Sequence, residues 1–294
     1  MADTVLQALG RQIDAEMIEP LRQQLVGRQL AQINPNLKGD GIFEVVHNTM
    51  NELGTATVSY SLPRPDGPRD SVTATRATLK VPVLDKGFEI ERADYDVYKA
   101  NGTPIDTNVA LSAAQVVGVK EDDLIINGWK PDGTNAEITG FYAGAGNSYT
   151  TNDDFATAGK PTTALSGALA LIEADSALAD AYNFVCHPTQ RNQLRGLRNA
   201  NGVREEPEFV EMLNPRGGTA GRIISTTAIT AGTGLLSPVD PARRFIELVV
   251  PRDYRTSLGV DSRDPDNSPI YGRVMCMTIP KIKQANGLCS LTQI

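Results

Sequence analysis

The sequence predicts an α+β fold, and three features of the chain support this prediction. Helical and strand-like segments cluster without the regular β-α-β alternation that a parallel sheet requires. Two strand-like runs, TATVSYSL (55–62) and VTATRATLKV (72–81), flank a turn rich in Pro, Asp and Gly. One long segment, 101–129, has helical apolar spacing and ends next to Gly128. Together they predict a mixed fold with a projecting two-stranded arm and one long helix.

Composition and charge exclude several classes of protein. The 294 residues are enough to bury the core of one large domain or two ordinary ones. No run of about 18 apolar residues predicts a membrane span, and the N-terminus lacks the basic start and apolar core of a signal peptide. The formal net charge of -7 argues against a protein that binds nucleic acid through a positive overall charge. Three cysteines without CxxC spacing favour reduced, buried thiols in a cytoplasmic setting.

The N-terminal third predicts a helix, a strand and the arm. Residues 4–30 have helical apolar spacing, and Pro20 is expected to kink or divide this helix. The segment IFEVVH (42–47) predicts a short strand that leads into the arm. After the arm, GFEIERADY predicts a strand that points Phe88 and Ile90 to one face.

The segment between residues 101 and 129 is the clearest helix of the sequence. Pro104 lies near its start and Gly128 is a natural C-cap, which gives roughly six turns at 3.6 residues per turn. Its predicted apolar face consists of Ile105, Val109, Ala113, Val116 and Val117. Such a helix is longer than the usual helix of a globular protein.

The C-terminal half predicts a second helix and several short strands. A polar, Gly-rich loop precedes a helix that begins near Pro161. The predicted buried face of this helix comprises Leu165, Leu169, Ile172 and Leu178. A strand, YNFVCHP, which stops at Pro188, and a helix, TQRNQLRGLRN, follow, and then four strands: GRIIST, GTGLLSP, FIELVVP and YGRVMCMTIPKI.

The sequence contains no convincing set of catalytic, cofactor-binding or metal-binding residues. Cys186 and His187 are adjacent on a predicted strand, so their side chains should point to opposite faces and not share a proton. The loop GFYAGAGNSY lacks the spacing of a phosphate-binding loop. The run KEDD, 120–123, is expected to be solvated charge on a helix. We therefore predict neither an enzyme nor a cofactor.

The order of these features resembles the tailed-phage major capsid fold, in its encapsulin-like variant. The segment LVGRQLAQINP resembles the end of the family's N-terminal helix, and FEIER its passage from the arm into the spine helix. KEDDLIINGW resembles the Glu-Asp…Gly ending of the spine helix, matched by Glu121, Asp122 and Gly128. HPTQRNQL and VVPRDYRTSLG are similar to an axial-domain helix and a late strand and turn of that fold.

The resemblance implies a division of the chain into five parts. These are an N-terminal arm (1–41), an extended β-hairpin arm with its base strand (42–84), a peripheral domain with the spine helix (85–182), an axial domain (183–250) and returning strands of the peripheral domain (251–294). It also implies a subunit without a catalytic site. Its main partner is then itself, as pentamers and hexamers in a closed icosahedral shell.

The tip of the arm is the predicted contact between subunits. An isolated hairpin is only marginally stable in water, so this one is expected to lie on another copy. We predict that the contact is made by Pro63, Arg64, Asp66, Arg69 and Asp70. Ion pairs of such exposed residues contribute at most about 1 kcal/mol each, so the stability of the assembly is expected to come from the same contact being repeated between many subunits.

The function predicted first is that of a tailed-virus capsid protein. The shell would enclose double-stranded DNA without sequence specificity, with portal and decoration proteins as further partners and no membrane. Its location would be the virion capsid, assembled in the host cytoplasm. The alternative is an encapsulin nanocompartment that encloses protein cargo. Encapsulin-type shells usually have a Trp-bearing N-terminal segment for cargo docking, whereas the sole Trp here is Trp129. Two further hypotheses are an enzyme with an unrecognised site and a binding or tail-tube module.

Overall fold

The computed structural model describes residues 6–15, 25–39, 41–50, 74–101, 107–151, 154–175, 179–261 and 268–294. The helices are α1 (6–15), α2 (Gly27–Leu30), α3 (Arg92–Asn101), α4 (Asn108–Asn127), α5 (Lys160–Ala174), α6 (Pro188–Gly196) and α7 (Glu206–Met212). The strands are β1 (Glu44–Met50), β2 (Ala74–Lys80), β3 (Val83–Ile90), β4 (Gly128–Trp129), β5 (Ile138–Thr139), β6 (Asn147–Thr150), β7 (Tyr182–Cys186), β8 (Ile223–Ser225), β9 (Thr233–Pro238), β10 (Ile246–Val260), β11 (Ile270–Ile282) and β12 (Cys289–Thr292). This mixture of helices and sheets confirms the predicted α+β class. Within these residues, no helix is long and apolar enough to cross a bilayer.

The first structural unit is the long helix α4 on a three-stranded antiparallel sheet. The strand order is β10-β11-β3, and the register places Ile270 opposite Ile90 and Met277 opposite Val83. Phe88 and Ile90 are both buried on the same face, as predicted. The core between helix and sheet also includes Leu9 of α1. The N-terminal helix is therefore part of this core.

The second unit is a mixed five-stranded sheet with the order β6-β12-β9-β7-β8. Strand β12 runs parallel to β6 and antiparallel to β9, so it lies between these two strands inside the sheet. Helix α5 packs onto it, with Leu165 and Ile172 fully buried. Phe155, Phe184 and Phe209 form an aromatic cluster with ring centroids 5.1–6.0 Å apart. Such contacts stabilise the core beyond simple area burial.

The base of the arm is a two-stranded antiparallel ribbon of β1 and β2. Its register runs from Glu44 opposite Lys80 to Met50 opposite Ala74. One face of this base is anchored, because Val45 and Leu79 pack with residues of α4, β10 and β11. The ribbon thus leaves the body of the subunit from a fixed base.

Several predicted elements differ from the observed ones. The N-terminal helix does not continue unbroken to residue 30, because Leu25 and Val26 are not helical; Pro20 lies outside the described residues. Helices α3 and α7 and strands β4, β5, β6 and β12 were not predicted, and the strand predicted for GFEIERADY ends at Ile90, because residues 92–95 are helical. Each of these helices buries a single residue, Tyr95 of α3 and Phe209 of α7, and these strands are only two to four residues long, so the sequence contains little apolar pattern to identify them.

The predicted apolar face of α4 was partly wrong. Ala113 and Val117 are buried as predicted, but Val109 and Val116 are about half exposed. The buried face instead includes Ala110, Ala114, Gly118 and Glu121. Ile105 lies outside the described residues. The end of the helix is as predicted, since Gly128 has φ 84° and donates its N–H to the Leu124 carbonyl.

Candidate functional site: the arm base, the buried ion cluster and the α4 groove

The predicted contact residues at the arm tip lie outside the described residues. Pro63, Arg64, Asp66, Arg69 and Asp70 all fall between the end of β1 and the start of β2. Their contact with another subunit therefore stays a prediction. The structure describes only the base of the arm, together with the surfaces around α4.

The base of the arm has one covered face and one open face. Val45 is buried, whereas its neighbour Val46 is exposed opposite Thr78. Phe43, just before β1, is also exposed. Within the described residues, β1 and β2 pair only with each other. Since two-stranded ribbons are only marginally stable alone, we expect the open face of the base to have further contacts.

The N-terminal segment is attached to α4 through Asp122. The carboxylate of Asp122 accepts hydrogen bonds from the backbone N–H groups of Gly27 at 2.8 Å and Val26 at 3.1 Å. Gly27 allows this close approach, because a Cβ there would lie 2.8 Å from Ile125 Cδ1. Asp122 thus fixes the position of α2 on the long helix.

A buried ion cluster lies beside this contact. Arg28 Nε donates to Glu121 Oε1 at 3.0 Å, and its Nη1 donates to Asp253 Oδ1 at 2.7 Å. The Tyr254 hydroxyl donates to Glu121 Oε2 at 2.5 Å. The Arg28 guanidinium also stacks 4.9 Å from the centre of the Tyr254 ring. These contacts join the N-terminal segment, α4 and β10.

The electrostatics of the cluster follow from burial and from its partners. Burial raises the pKa of Asp122 to about 6, although the two backbone N–H groups oppose the shift. Burial alone would lower the pKa of Arg28, but the carboxylates of Glu121 and Asp253 outweigh it and raise that pKa. Burial, followed by the negative charge of Glu121, raises the pKa of Tyr254 far above its usual value. Arg28 is therefore always charged, and Tyr254 is always a hydrogen-bond donor.

The prediction that the KEDD run is solvated was wrong for two of its acids. The side chain of Glu121 is 0% exposed and Asp122 is 9% exposed. Only Lys120 and Asp123 behave as predicted, since they form a partly exposed pair at 2.7 Å. The partners of Glu121 are 93 and 133 residues away in the chain. No local sequence pattern could have identified them.

A groove of about 660 Å³ lies along the exposed side of α4. Its apolar lining includes Val83 of β3 and Val116 and Val119 of α4, which are 51%, 51% and 69% exposed. The opposite wall is the loop 226–228 that follows β8. Large apolar side chains at this exposure, side by side, are typical of a contact surface.

Cys186 and His187, the two residues weighed as nucleophile and base, have separate environments in the structure. Cys186 is fully buried, and this burial raises its pKa to about 12. His187 Nδ1 instead accepts a hydrogen bond from the Thr189 N–H and caps α6. Cys186 is therefore a buried thiol, as predicted, whereas His187 follows the end of β7 and is the N-cap of α6 and not a strand residue.

The base of a two-stranded arm, a long helix on a three-stranded sheet and a second, five-stranded unit agree with the arrangement that the resemblance to capsid subunits predicts. Residues 4–257 match the family Linocin_M18, which is described as encapsulating protein for peroxidase. The match covers most of the chain, so this protein belongs to that family of shell-forming proteins. The predicted resemblance to capsid and encapsulin proteins is thereby confirmed.

Solved structures of shells have the same fold at low sequence identity. The virus-like particle from Pyrococcus furiosus matches with a TM-score of 0.65 at 16% identity, over 96% of this chain and 98% of that one. The capsid of Myoviridae phage XM1 matches with a TM-score of 0.63 at 15% identity, over 91% and 90%. The capsid of an empty GTA particle matches with a TM-score of 0.61 at 14% identity, over 90% and 88%. All three are proteins of particles or capsids.

Proposed function

We propose that this protein self-assembles into a closed icosahedral shell that encloses double-stranded DNA, as the major capsid protein of a tailed virus. The shell-forming class rests on the family match and on the shared fold. That the shell encloses DNA is the more specific part of the proposal. In it, portal and decoration proteins are further partners, and the particle assembles in the host cytoplasm.

One observation carries the preference for DNA over protein cargo. Helix α1 contains no aromatic residue, and its main apolar side chains, Leu9 and Ile13, are fully buried in the subunit's own core. They are therefore not available to dock a cargo peptide. Trp129, the sole Trp, lies in β4 beyond the end of α4.

The acidic charge of the chain is compatible with enclosed DNA. Packaged DNA need not be attracted by the shell if a motor drives it in, and a strongly basic lining would immobilise it. The net charge of -7 fits a container that tolerates nucleic acid without binding it.

The second candidate is a compartment that encloses a protein. The family description, encapsulating protein for peroxidase, favours it over residues 4–257. The arm, the sheet units and self-assembly would be the same in both cases. Only the molecules enclosed by the shell and the genes beside the shell gene would differ.

The content of native particles tests the proposal. Particles isolated from the organism that carries the gene should contain nuclease-protected double-stranded DNA of uniform length. Genes for a portal and a large terminase should lie beside the shell gene. Particles that contain a peroxidase or ferritin-like protein, and no protected DNA, would establish the second candidate instead.

A further inference from the structure

A second groove, between α1 and strand β10, is lined by basic side chains. Its volume is about 630 Å³, which is within the usual range of ligand sites. Three arginines line this α1 groove: Arg11 of α1, and Arg252 and Arg255 of β10. Among the described residues of the lining, Asp14 is the only acid. The lining therefore has an excess of positive charge at neutral pH.

The acids closest to these arginines in the chain have structural partners. Asp14 Oδ1 accepts a hydrogen bond from the backbone N–H of Thr256 at 2.7 Å, and this contact joins α1 to β10. Asp253 Oδ1 accepts from Arg28 Nη1 at 2.7 Å in the buried ion cluster. Both carboxylates are thus held by contacts outside the set of three arginines.

The arginines can donate hydrogen bonds to a ligand. Arg11 and Arg255 are exposed, and Arg252 is partly buried. Nη1 of Arg252 donates to Met275 Sδ at 3.4 Å, and a thioether is only a weak acceptor. A guanidinium has several N–H donors in a planar fork, so an arginine that already has one partner can still bind an oxyanion.

Thr256 gives a second, independent indication of a ligand. It lines the α1 groove and is 7% exposed, and its hydroxyl group has no hydrogen-bond partner among the described residues. A buried hydroxyl without a partner is unfavourable, and an anion in the groove would supply an acceptor. Ser257, next to it, is exposed and lines the same groove. Guanidinium and hydroxyl groups are the usual contacts of proteins to the phosphates of nucleic acid.

We propose that the α1 groove binds a phosphate group, and that in the assembled shell this group belongs to the enclosed DNA. The source of the phosphate rests on the proposed function, whereas the preference for phosphate rests on the groove itself. The overall charge of -7 does not oppose a local contact, because charges farther away than about 8 Å are screened at physiological ionic strength. Such a contact carries no sequence information, in agreement with a shell that encloses DNA without sequence specificity.

Binding of a short fluorescein-labelled DNA duplex to the full-length protein tests the site. The protein is kept below the concentration at which particles form, and fluorescence anisotropy should show saturable binding at low salt. Sodium phosphate should displace the duplex at a lower ionic strength than sodium chloride does. Arg255→Gln should weaken binding at least about tenfold. Arg195→Gln removes an exposed charge from α6 and is the matched control, which should change binding by less than about twofold.

Thr256→Val separates a role in binding from a role in folding. It keeps the shape of the side chain and removes the hydroxyl group. Because that hydroxyl has no partner among the described residues, the variant should unfold at the same temperature as the wild type or higher, and bind the duplex about fivefold more weakly. A variant that is less stable but binds the duplex normally would contradict the site.

Hydrogen exchange of native particles tests the source of the phosphate. Peptides that cover residues 6–14 and 252–259 should exchange more slowly in DNA-filled particles than in particles emptied by opening and nuclease treatment. Peptides of α6 should exchange equally in both. Equal exchange of the groove peptides would overturn the contact with enclosed DNA.

The outcomes separate this proposal from the proposed function. Equal effects of Arg255→Gln and Arg195→Gln would overturn the site and leave the shell function intact, because enclosed DNA requires no contact with the shell. A Glu-rich peptide that binds the groove more tightly than the duplex would overturn the preference for phosphate. Native particles without DNA would overturn the proposed function and the source of the phosphate, while the duplex measurement would still decide whether the groove binds phosphate.

Discussion

At the scale of residues, the buried ion cluster is the feature with the largest expected effect on stability. Glu121 has no exposed side-chain area and accepts hydrogen bonds from Arg28 and Tyr254. Removing one partner of a buried ion pair leaves an uncompensated charge, which typically costs about 3–5 kcal/mol. The cluster therefore constrains the N-terminal segment strongly, even though forming it also required desolvation.

We expect Glu121→Gln to destabilise the subunit by about 3 kcal/mol, because Arg28 then keeps only Asp253 as a charged partner. Thermal unfolding should show a loss of about 5 °C or more. The matched control is Asp96→Asn, which removes the exposed Arg92–Asp96 pair and should change stability by less than about 0.5 kcal/mol. Equal effects of the two substitutions would mean that the cluster is not buried as observed.

Asp122 gives the subunit a defined pH dependence. Because its pKa is raised to about 6 in the folded state, the carboxyl group contributes most stability when it is protonated. That contribution is complete below the usual aspartate pKa of about 4, and it is lost as the pH rises through about 6. Relative to Asp122→Asn, the wild type should thus lose up to about 2–3 kcal/mol between pH 4 and pH 7. Denaturant unfolding of both proteins at pH 4, 5, 6 and 7 measures this difference, and a constant difference would refute it.

The sequence could not reveal this cluster. The KEDD run has the composition of a solvated helix surface, and the expectation of solvation holds for Lys120 and Asp123. Glu121 and Asp122 are buried because the N-terminal segment and β10 return to α4 from distant parts of the chain. Contacts between segments that are far apart in the chain cannot be recognised from a local sequence pattern.

At the scale of elements, the end of α4 depends on two glycines that lie against each other. Gly128 has φ 84°, and a Cβ there would collide with the Ile138 carbonyl oxygen and lie 2.6 Å from the Gly140 nitrogen. We expect Gly128→Ala to destabilise the subunit by at least about 1 kcal/mol, because both the backbone strain and the collision oppose it. Gly133→Ala is the control, since φ there is also positive but a Cβ would contact nothing within 4 Å. An effect no larger than that of the control would show that the close approach is unimportant.

The arm offers a separate prediction about assembly. Deletion of residues 63–70 should reduce particle formation while the subunit stays folded, because the described base of the arm is held by its own contacts to the body. Circular dichroism would test the fold, and electron microscopy the particles. Normal particles from the deletion variant would contradict the predicted role of the arm tip.

Elements with a strong pattern were predicted well, and those without one were missed. The C-cap of α4, the burial of Leu165, Leu169 and Ile172 on α5, and the strands β7, β10 and β11 follow from apolar periodicity and turn residues. Leu178, the fourth residue predicted for the buried face of α5, lies outside the described residues. The exposure of Val109 and Val116 was not predictable, because an exposed apolar residue and a buried one have the same appearance in the sequence. Such residues make the sequence pattern ambiguous.

At the scale of the whole molecule, the fold was predictable from the order of its elements, although each single motif was weak. The family match and the shared fold with several solved shells agree with that order. Among the described residues, the two strands of the arm base pair only with each other, and the groove on α4 exposes apolar side chains; both are expected of a subunit that contacts other copies. The free surfaces of the monomer are therefore best understood as parts of a larger shell.

Electron microscopy of the purified protein tests self-assembly most directly. The wild-type chain, concentrated in several salt conditions, should form closed particles of uniform diameter in which every subunit contacts neighbours. Particles of this kind would support the shell function independently of what they enclose. A protein that stays monomeric at high concentration in all of these conditions would contradict it.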